Sequence, residues 1–366
     1  MSDASIVANA ICLCTDKNML APAAYVAAHA RACLGCSSDT HVIVCVDSRD
    51  ITTAHRRWFD AEGIDVCEDI RSARFSDTSL LKQRFTPATL TRLFLAEYWA
   101  GRYEKILYLD SDVTIHGNIA RLFSLDTGSS AIAAVRSAWY ETMAEYEHET
   151  GSRRLRRTAH YRGLGMREPF LYINAGVLYI DVPEWNRREI SARAMEFFRR
   201  NEDLCRWADQ DALNAVHDDS VTELSPIWNM RFEEHAAGSM YEIARPVVRH
   251  YAGPYKPWRR FHGRRPLFGI RETYRLYRTF FRNTPWSDWL HSQWTIEDLR
   301  ANIASELMTA SARLRGRPGV FPRAYAPEYV SAFERYCRQR RFADVDQGIA
   351  GWKDGQLCLN DGPLVA

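Results

Sequence analysis

Short runs of almost unbroken apolar residues recur through the first half of this chain, and no other feature restricts its fold as tightly. They fall at Ile6 to Cys14, His41 to Val46, Ile106 to Leu109, Ile132 to Val135 and Leu171 to Ile180. They are short and β-rich, the pattern of strands buried on both faces. Helical stretches lie between them. PAAYVAAHARACLG has Pro22 at its start and Gly35 at its end, and HRRWFDAEG, a short IDVCEDI strand and TLTRLFLAEYW follow before Ile106. Alternating strand and helix predicts an α/β fold, with an open, mostly parallel central sheet flanked by helices. In such sheets ligands bind beyond the carboxyl ends of the strands.

One strand ends in charge: residues 106 to 114 read ILYLDSDVT. In an extended Asp110-Ser111-Asp112, residues i and i+2 face the same side, so two carboxylates meet at one point. Like charges that close require a cation or a shared proton. A hard divalent ion with oxygen ligands meets the first need. An Asp-rich turn capping the next element would carry the same letters. So would a phosphohydrolase of the haloacid-dehalogenase type, with Asp110 as nucleophile and Asp112 as its acid/base partner. That family opens its first strand with the motif and adds a later Gly-Asp-x-x-x-Asp-like motif. Here about a hundred residues of α/β pattern precede it, and the later doublet Asp218-Asp219 lies outside an apolar strand.

The net charge of +2 argues against a dedicated nucleic-acid binder. Nine cysteines without framework spacing favour a reducing compartment. Cys33-Leu-Gly-Cys36 lacks the second pair or His motif that would complete a zinc or redox site. No apolar stretch approaches the ~18 residues of a membrane span, and the first residues lack the basic region of a signal peptide. A cytoplasmic protein is expected.

Further motifs follow in order: CTDKNM (14–19), YINAGVLYIDVPEW (172–185), WADQDALNAV (207–216), PIWNM (226–230) and VRHYAGPYKPW (248–258). Together with Asp-Ser-Asp they resemble glycosyltransferase family 8, particularly its bacterial lipopolysaccharide glycosyltransferases, over about residues 5 to 258. The resemblance implies a GT-A fold and retaining transfer of a hexose, galactose or glucose, from a UDP donor to a saccharide acceptor, with Mn²⁺ or Mg²⁺. It makes Asp110, Asp112 and His250 the metal ligands; a neutral imidazole beside carboxylates suits Mn²⁺. Gly253 and Lys256 would meet the diphosphate, the first by close backbone approach and the second as a point charge. Thr15, Asp16 and Asn18 would hold the nucleotide, with Met19 where the family prefers an aromatic. Arg92 and Ser111 would reach the donor, and Asn174 and Ala175 would line its sugar, with Gly176 present for close packing.

Double displacement needs a carboxylate behind the anomeric carbon, and the matching family position here is an amide, Gln210. The resemblance therefore favours a front-face, ion-pair-like substitution. Gln210 would stabilise positive charge on the sugar, Asp211 would hold sugar hydroxyls and Asp209 would support them. A UDP oxygen would assist deprotonation of the acceptor. Arg136-Ser137 stands where related galactosyltransferases carry an acid, which weakens the case for galactose and would suit an acidic sugar such as galacturonate. A UDP-sugar-binding protein without transfer activity is the non-enzyme alternative.

Past Trp258 the texture changes. Tyr251 to Arg282 holds nine Lys/Arg against one acid, Glu272, and is thick with aromatics. We divide the chain into a transferase domain at 1–258 and a basic, aromatic, mainly helical extension at 259–366, with helical stretches near Ile296 to Leu314 and Glu328 to Arg341. At helical spacing Arg271, Arg275, Arg278 and Arg282 share one face, with Tyr274, Tyr277 and Phe281 beside it. Such a helix suits anionic lipid headgroups, and equally a solvated face docked on the core. With the RRLRR cluster at 153–157, it fits an enzyme peripheral to the inner face of the plasma membrane that glycosylates a glycolipid acceptor. Local enrichment of this kind gives no expectation of nucleic acid.

Overall fold

The computed structural model describes residues 9–34, 39–70, 87–137, 159–168, 171–217, 221–231, 238–252, 256–258, 270–292 and 327–360, with single helical positions at 296, 300, 303, 307 and 311. The apolar runs form the expected sheet. Its strands are β1 (Asn9–Thr15), β2 (Thr40–Val46), β3 (Asp65–Cys67), β4 (Lys105–Leu109), β6 (Ile132–Arg136), β7 (Ile173–Asp181) and β8 (Val221–Leu224), arranged β3-β2-β1-β4-β7-β6-β8. All pairings are parallel except those of β7, which runs antiparallel to both β4 and β6. Alternate residues enter opposite cores: Ile11 and Leu13 join the cluster under helix α1 (Leu20–Leu34), while Ala10, Cys12 and Cys14 join the cluster on the other face. Both faces are covered, so a strand with no polar alternation is the stable sequence. Cys12 and Cys14 are core residues and Cys33 is a free thiol, while Cys36 lies outside the described residues.

TLTRLFLAEYW is not one continuous α-helix. It is a helical turn at Pro87–Thr91, a tighter 3₁₀ turn at Arg92–Phe94 and a last turn at Leu95–Tyr98. The tight turn accompanies a buried guanidinium: Arg92 is enclosed among acids rather than lying on a solvated face.

A second sheet of three strands places the site. It has the order β5 (Val113–Ile115), β10 (Val248–His250), β9 (Met230–Arg231), with β10 antiparallel to β5 and parallel to β9.

The described residues after 258 share a core with the rest. In the helix Ile270–Phe281, Tyr277 and Phe281 are buried, and Tyr277 stacks on Tyr25 of α1 with ring centroids 3.9 Å apart. Trp286 stacks on His55 at 4.7 Å and meets Trp58 edge-on; both belong to helix α2 (Thr53–Ala61). Arg275, Arg278 and Arg282 remain exposed. Burying each large aromatic contributes about 1.5–3 kcal/mol, whereas an exposed ion pair contributes roughly 0–1 kcal/mol. The aromatic face therefore sets how this helix sits. The side chain of Arg271, the RRLRR cluster and most of the stretch from 296 to 314 lie outside the described residues.

Farther on, the helix Pro327–Gln339 and a hairpin, β11 (Ala350–Lys353) and β12 (Gln356–Leu359), close against the segment before β10, where Arg245 N–H donates to Leu357 O at 2.8 Å. Between them Asp344, fully buried, accepts from Ser225 N at 2.8 Å, Ser225 Oγ at 2.6 Å and Trp228 Nε1 at 2.8 Å. The PIWNM segment is thus held from beneath by a carboxylate far along the chain.

Candidate active site

The site begins where β4 ends. Asp110 N–H donates to Gly176 O of β7 at 2.8 Å, and after the turn Tyr251 N–H donates to Asp112 O at 2.9 Å. Because β5 leaves from Val113 and pairs with β10, His250 lies opposite Val113. Its Nε2 stands 3.2 Å from Asp112 Oδ1 and 3.6 Å from Asp110 Oδ2. One ligand atom from each of Asp110, Asp112 and His250 lies within 4.8 Å of the other two, and no other such group occurs among the described residues. Two carboxylate oxygens and an imidazole nitrogen, lining one cavity, form a donor set that fits Mn²⁺ or Mg²⁺.

Two cations balance the carboxylates. Arg92 spans the site: Nη1 is 2.9 Å from Asp110 Oδ1 and donates to Ala175 O at 2.7 Å, while Nε is 2.7 Å from Asp209 Oδ2. Burial alone would lower the Arg92 pKa, but Asp110 and Asp209 outweigh it and raise it. Burial pushes Asp209 up to about 7; Arg92 opposes that shift, and neighbouring Asp110 and Asp211 add to it. Lys256 pairs with Asp112 and donates to Tyr251 O at 3.0 Å. Against the effect of burial, Lys256 and His250 hold Asp112 well below the usual carboxylate range. Tyr108 Oη donates to Asp110 Oδ1 at 2.6 Å.

Asp110, Asp112, His250, Arg92, Asp209 and Asn174 are among the residues that line a cavity of about 440 Å³, with Gln210 and Tyr172 on its wall. Gln210 is the second residue of the helix Asp209–Val216, and Ala208, just before that helix, adopts φ 46°. Its Oε1 accepts from Asn174 Nδ2 and Ala175 N, both at 3.0 Å, and its Nε2 donates to Tyr172 Oη at 2.8 Å.

Asp211 does not line this cavity. It is fully buried, and its oxygens accept from Tyr172 Oη at 2.6 Å and Trp207 N at 2.9 Å, with His160 Nε2 at 3.1–3.2 Å. Both of its oxygens accept from protein donors. Thr15, Asp16 and Asn18 stand at the end of β1, outside the cavity lining. There Asp16 Oδ1 accepts from Asn18 N at 2.9 Å and Met19 N at 3.2 Å, an Asx turn that leads into α1. Ser111, between the two aspartates, and Ala175 are both buried. Gly253 lies outside the described residues.

Arg136 and Ser137 part company. Ser137 lines the cavity, while Arg136 pairs with Glu223 of β8 at 3.0 Å, because successive residues of a strand point to opposite faces. Arg231 lines the cavity alongside Arg92. Sequence reasoning also missed His160, Tyr161, Tyr172 and Asn229. Tyr172 and Asn229 sat inside quoted motifs and passed as strand and turn letters; His160 has no local signal.

A family model described as Glycosyl transferase family 8 matches residues 10–262. The lipopolysaccharide 1,3-galactosyltransferase of Salmonella typhimurium is 30% identical over 190 residues, covering 48% of this chain and 50% of that protein. The lipopolysaccharide 1,2-glucosyltransferase of Escherichia coli is 24% identical over 214 residues, covering 56% and 57%. The chain thus spans about half the length of these curated relatives. Among solved structures, the galactosyltransferase LgtC in complex with donor and acceptor sugar analogs matches with a TM-score of 0.55 at 23% identity, over 74% of this chain and 95% of that one. That likeness shows a shared GT-A fold.

Proposed function

The chain belongs to glycosyl transferase family 8, and from that premise we propose that it moves a hexosyl unit, galactose or glucose, from a UDP-sugar to a saccharide acceptor with retention of configuration. Lipopolysaccharide core or another surface glycan is the product class, as in the relatives' names. The observation that carries this is the meeting of Asp110, Asp112 and His250 within 4.8 Å, in the lining of a cavity that Gln210 also lines.

Asp110, Asp112 and His250 would hold the divalent ion, and such an ion offsets the charge that grows on a departing diphosphate. Lys256, beside Asp112, adds a mobile positive charge at the same end. The remaining carboxylates are committed elsewhere: Asp209 to Arg92, Asp211 to Tyr172, His160 and the Trp207 amide. Among the described residues no carboxylate lining the cavity is left to attack the anomeric carbon, which favours front-face substitution over double displacement. In that step the bond from the anomeric carbon to UDP breaks, the acceptor oxygen bonds on the same face, and its proton passes to a UDP oxygen. Gln210 positions and shields the sugar while charge develops.

The phosphohydrolase alternative fits less well. Asp110 Oδ1 is engaged by Arg92 and Tyr108, which makes it a poor nucleophile, and the described residues hold no second acidic metal cluster. The exposed arginines at 275, 278 and 282 fit a peripheral contact with anionic membrane, on the cytoplasmic side where UDP-sugars are found; salt-sensitive vesicle binding tests it. No described helix is long and apolar enough to cross a membrane.

A panel of UDP-sugars assayed for UDP release with Mn²⁺ and a saccharide acceptor is the direct test. Gln210→Ala should lose far more turnover than donor binding. Equal loss of both, or phosphate release from simple phosphomonoesters abolished by Asp110→Asn, would count against transfer.

A further inference from the structure

Two backbone amides fix the orientation of the side-chain amides around the site. A backbone N–H can only donate, so the atom it faces must be an oxygen. Ala175 N–H faces Gln210 at 3.0 Å, and Gly176 N–H faces Asn174 at 3.0 Å; both partners are therefore oxygens. Each remaining assignment follows from these two. Asn174 turns Nδ2 to Gln210 Oε1 at 3.0 Å, and Gln210 turns Nε2 to Tyr172 Oη at 2.8 Å. Tyr172, having accepted, gives its own proton to Asp211 at 2.6 Å. On the other side, Asn229 must present Nδ2 to Asn174 Oδ1 at 2.8 Å, which leaves Asn229 Oδ1 facing His250 Nδ1 at 2.9 Å. An oxygen there accepts, so Nδ1 carries a proton.

Five hydrogen bonds consequently run in one sense, from His250 through Asn229, Asn174, Gln210 and Tyr172 to Asp211. Aligned donors polarise one another, and the sense is anchored by a carboxylate with no solvent exposure. The far end is the imidazole whose Nε2 faces Asp110 and Asp112. In the neutral ring a proton on Nδ1 leaves Nε2 with a lone pair available to a metal ion.

Resting on the transferase reading above, we infer that Asn229 and Asp211 are positioning residues. They form a one-directional relay that fixes the Nδ1–H form of His250 and the orientation of the Gln210 amide without touching substrate. The metal end and the sugar end of the site are set by one chain of protons, so breaking it at Asn229 should separate the two.

The test begins with the native protein. In nitrogen-15 spectra of histidine-labelled protein at pH 8, His250 Nδ1 should carry a proton both without metal and with Mg²⁺ bound. An unprotonated Nδ1 overturns the relay whatever the activity proves to be. Two substitutions then divide its functions. Asn229→Asp keeps an acceptor for His250 but offers no donor to Asn174. Mn²⁺ affinity, read by electron paramagnetic resonance, should stay within about threefold while kcat falls roughly 10–100-fold. Asn229→Leu removes both contacts and should weaken Mn²⁺ binding by roughly 10–100-fold as well. Indistinguishable metal affinities for the two variants, each checked for a native thermal transition, would refute the relay. Failure of the wild type to bind Mn²⁺ or release UDP would instead refute the transferase reading and leave the His250 proton assignment standing.

Discussion

Gly176 sits directly beneath the imidazole of His250. A Cβ on that glycine would stand 2.7 Å from Nδ1 and 2.9 Å from Asp110 Oδ2, and closer still to Cε1. The neighbour is a buried ring held by Asn229, so it has little room to give. Gly176→Ala should therefore displace His250 from Asp110 and weaken Mn²⁺ binding at least tenfold, with a folding cost of about 1–3 kcal/mol for overpacking. Calorimetric titration with Mn²⁺ and urea unfolding read both. Wild-type Mn²⁺ affinity in a folded variant would show that the ring is not needed there.

Lys256 has two tasks that can be separated. It neutralises Asp112, and in the proposed reaction it would add charge near the diphosphate. Lys256→Met should tighten Mn²⁺ binding severalfold in the absence of nucleotide, because a competing cation is gone. UDP binding in the presence of Mn²⁺ should weaken by about tenfold, or 1.4 kcal/mol. Changes of the same sign in both titrations would contradict this division.

Arg92 joins Asp110, Asp209 and Ala175 O through a planar fork that a single ammonium cannot match. Arg92→Lys should fold and lose roughly 10–100-fold in turnover. Arg92→Ala leaves Asp209 buried without its partner and should cost about 3–5 kcal/mol of stability. Urea unfolding of the alanine variant at wild-type stability would show that the pair does not hold the site together.

His116 supplies a pH test away from the site. Burial, with Arg249 and His29 adding to it, lowers its pKa to about 3, whereas an unfolded histidine titrates near 6.5. Between those values the unfolded chain binds a proton that the fold does not. Its contribution is present above about pH 6.5 and is lost as pH falls toward 3. Replacing it, as in His116→Gln, should flatten the stability curve between pH 6.5 and 4, by up to about 1.4 kcal/mol per pH unit. Parallel curves for the two proteins would remove His116 from the account.

The parts of this molecule that the sequence made legible are those governed by neighbours in the chain. The apolar runs specify strands because both sheet faces are covered; Asp110 and Asp112 do meet, but through a turn at Ser111-Asp112 and not through the extended segment expected. The direction of β7 was not legible, since an uninterrupted apolar strand reads alike in either orientation. Nor was the state of Asp211. Its letter sits beside Gln210, but whether it meets sugar or protein depends on Tyr172 and on His160, from a segment with no motif of its own. Arg136 and Ser137 diverge by strand alternation, and β6 begins too near its end for the sequence to say which face each would take. Tyr277 and Phe281 were readable as an apolar stripe; that the stripe lands on Tyr25 is a fact of packing.

Asp344 carries one more consequence, in time rather than in space. Ribosomes add residues from the amino end, so both aspartates and the histidine of the site emerge while the carboxylate that clamps Ser225 and Trp228 is still unmade. A nascent chain halted upstream of that codon would own all three ligands and lack the brace under the segment leading to Asn229. The brace at Asp344 is therefore made only after Asp110, Asp112 and His250.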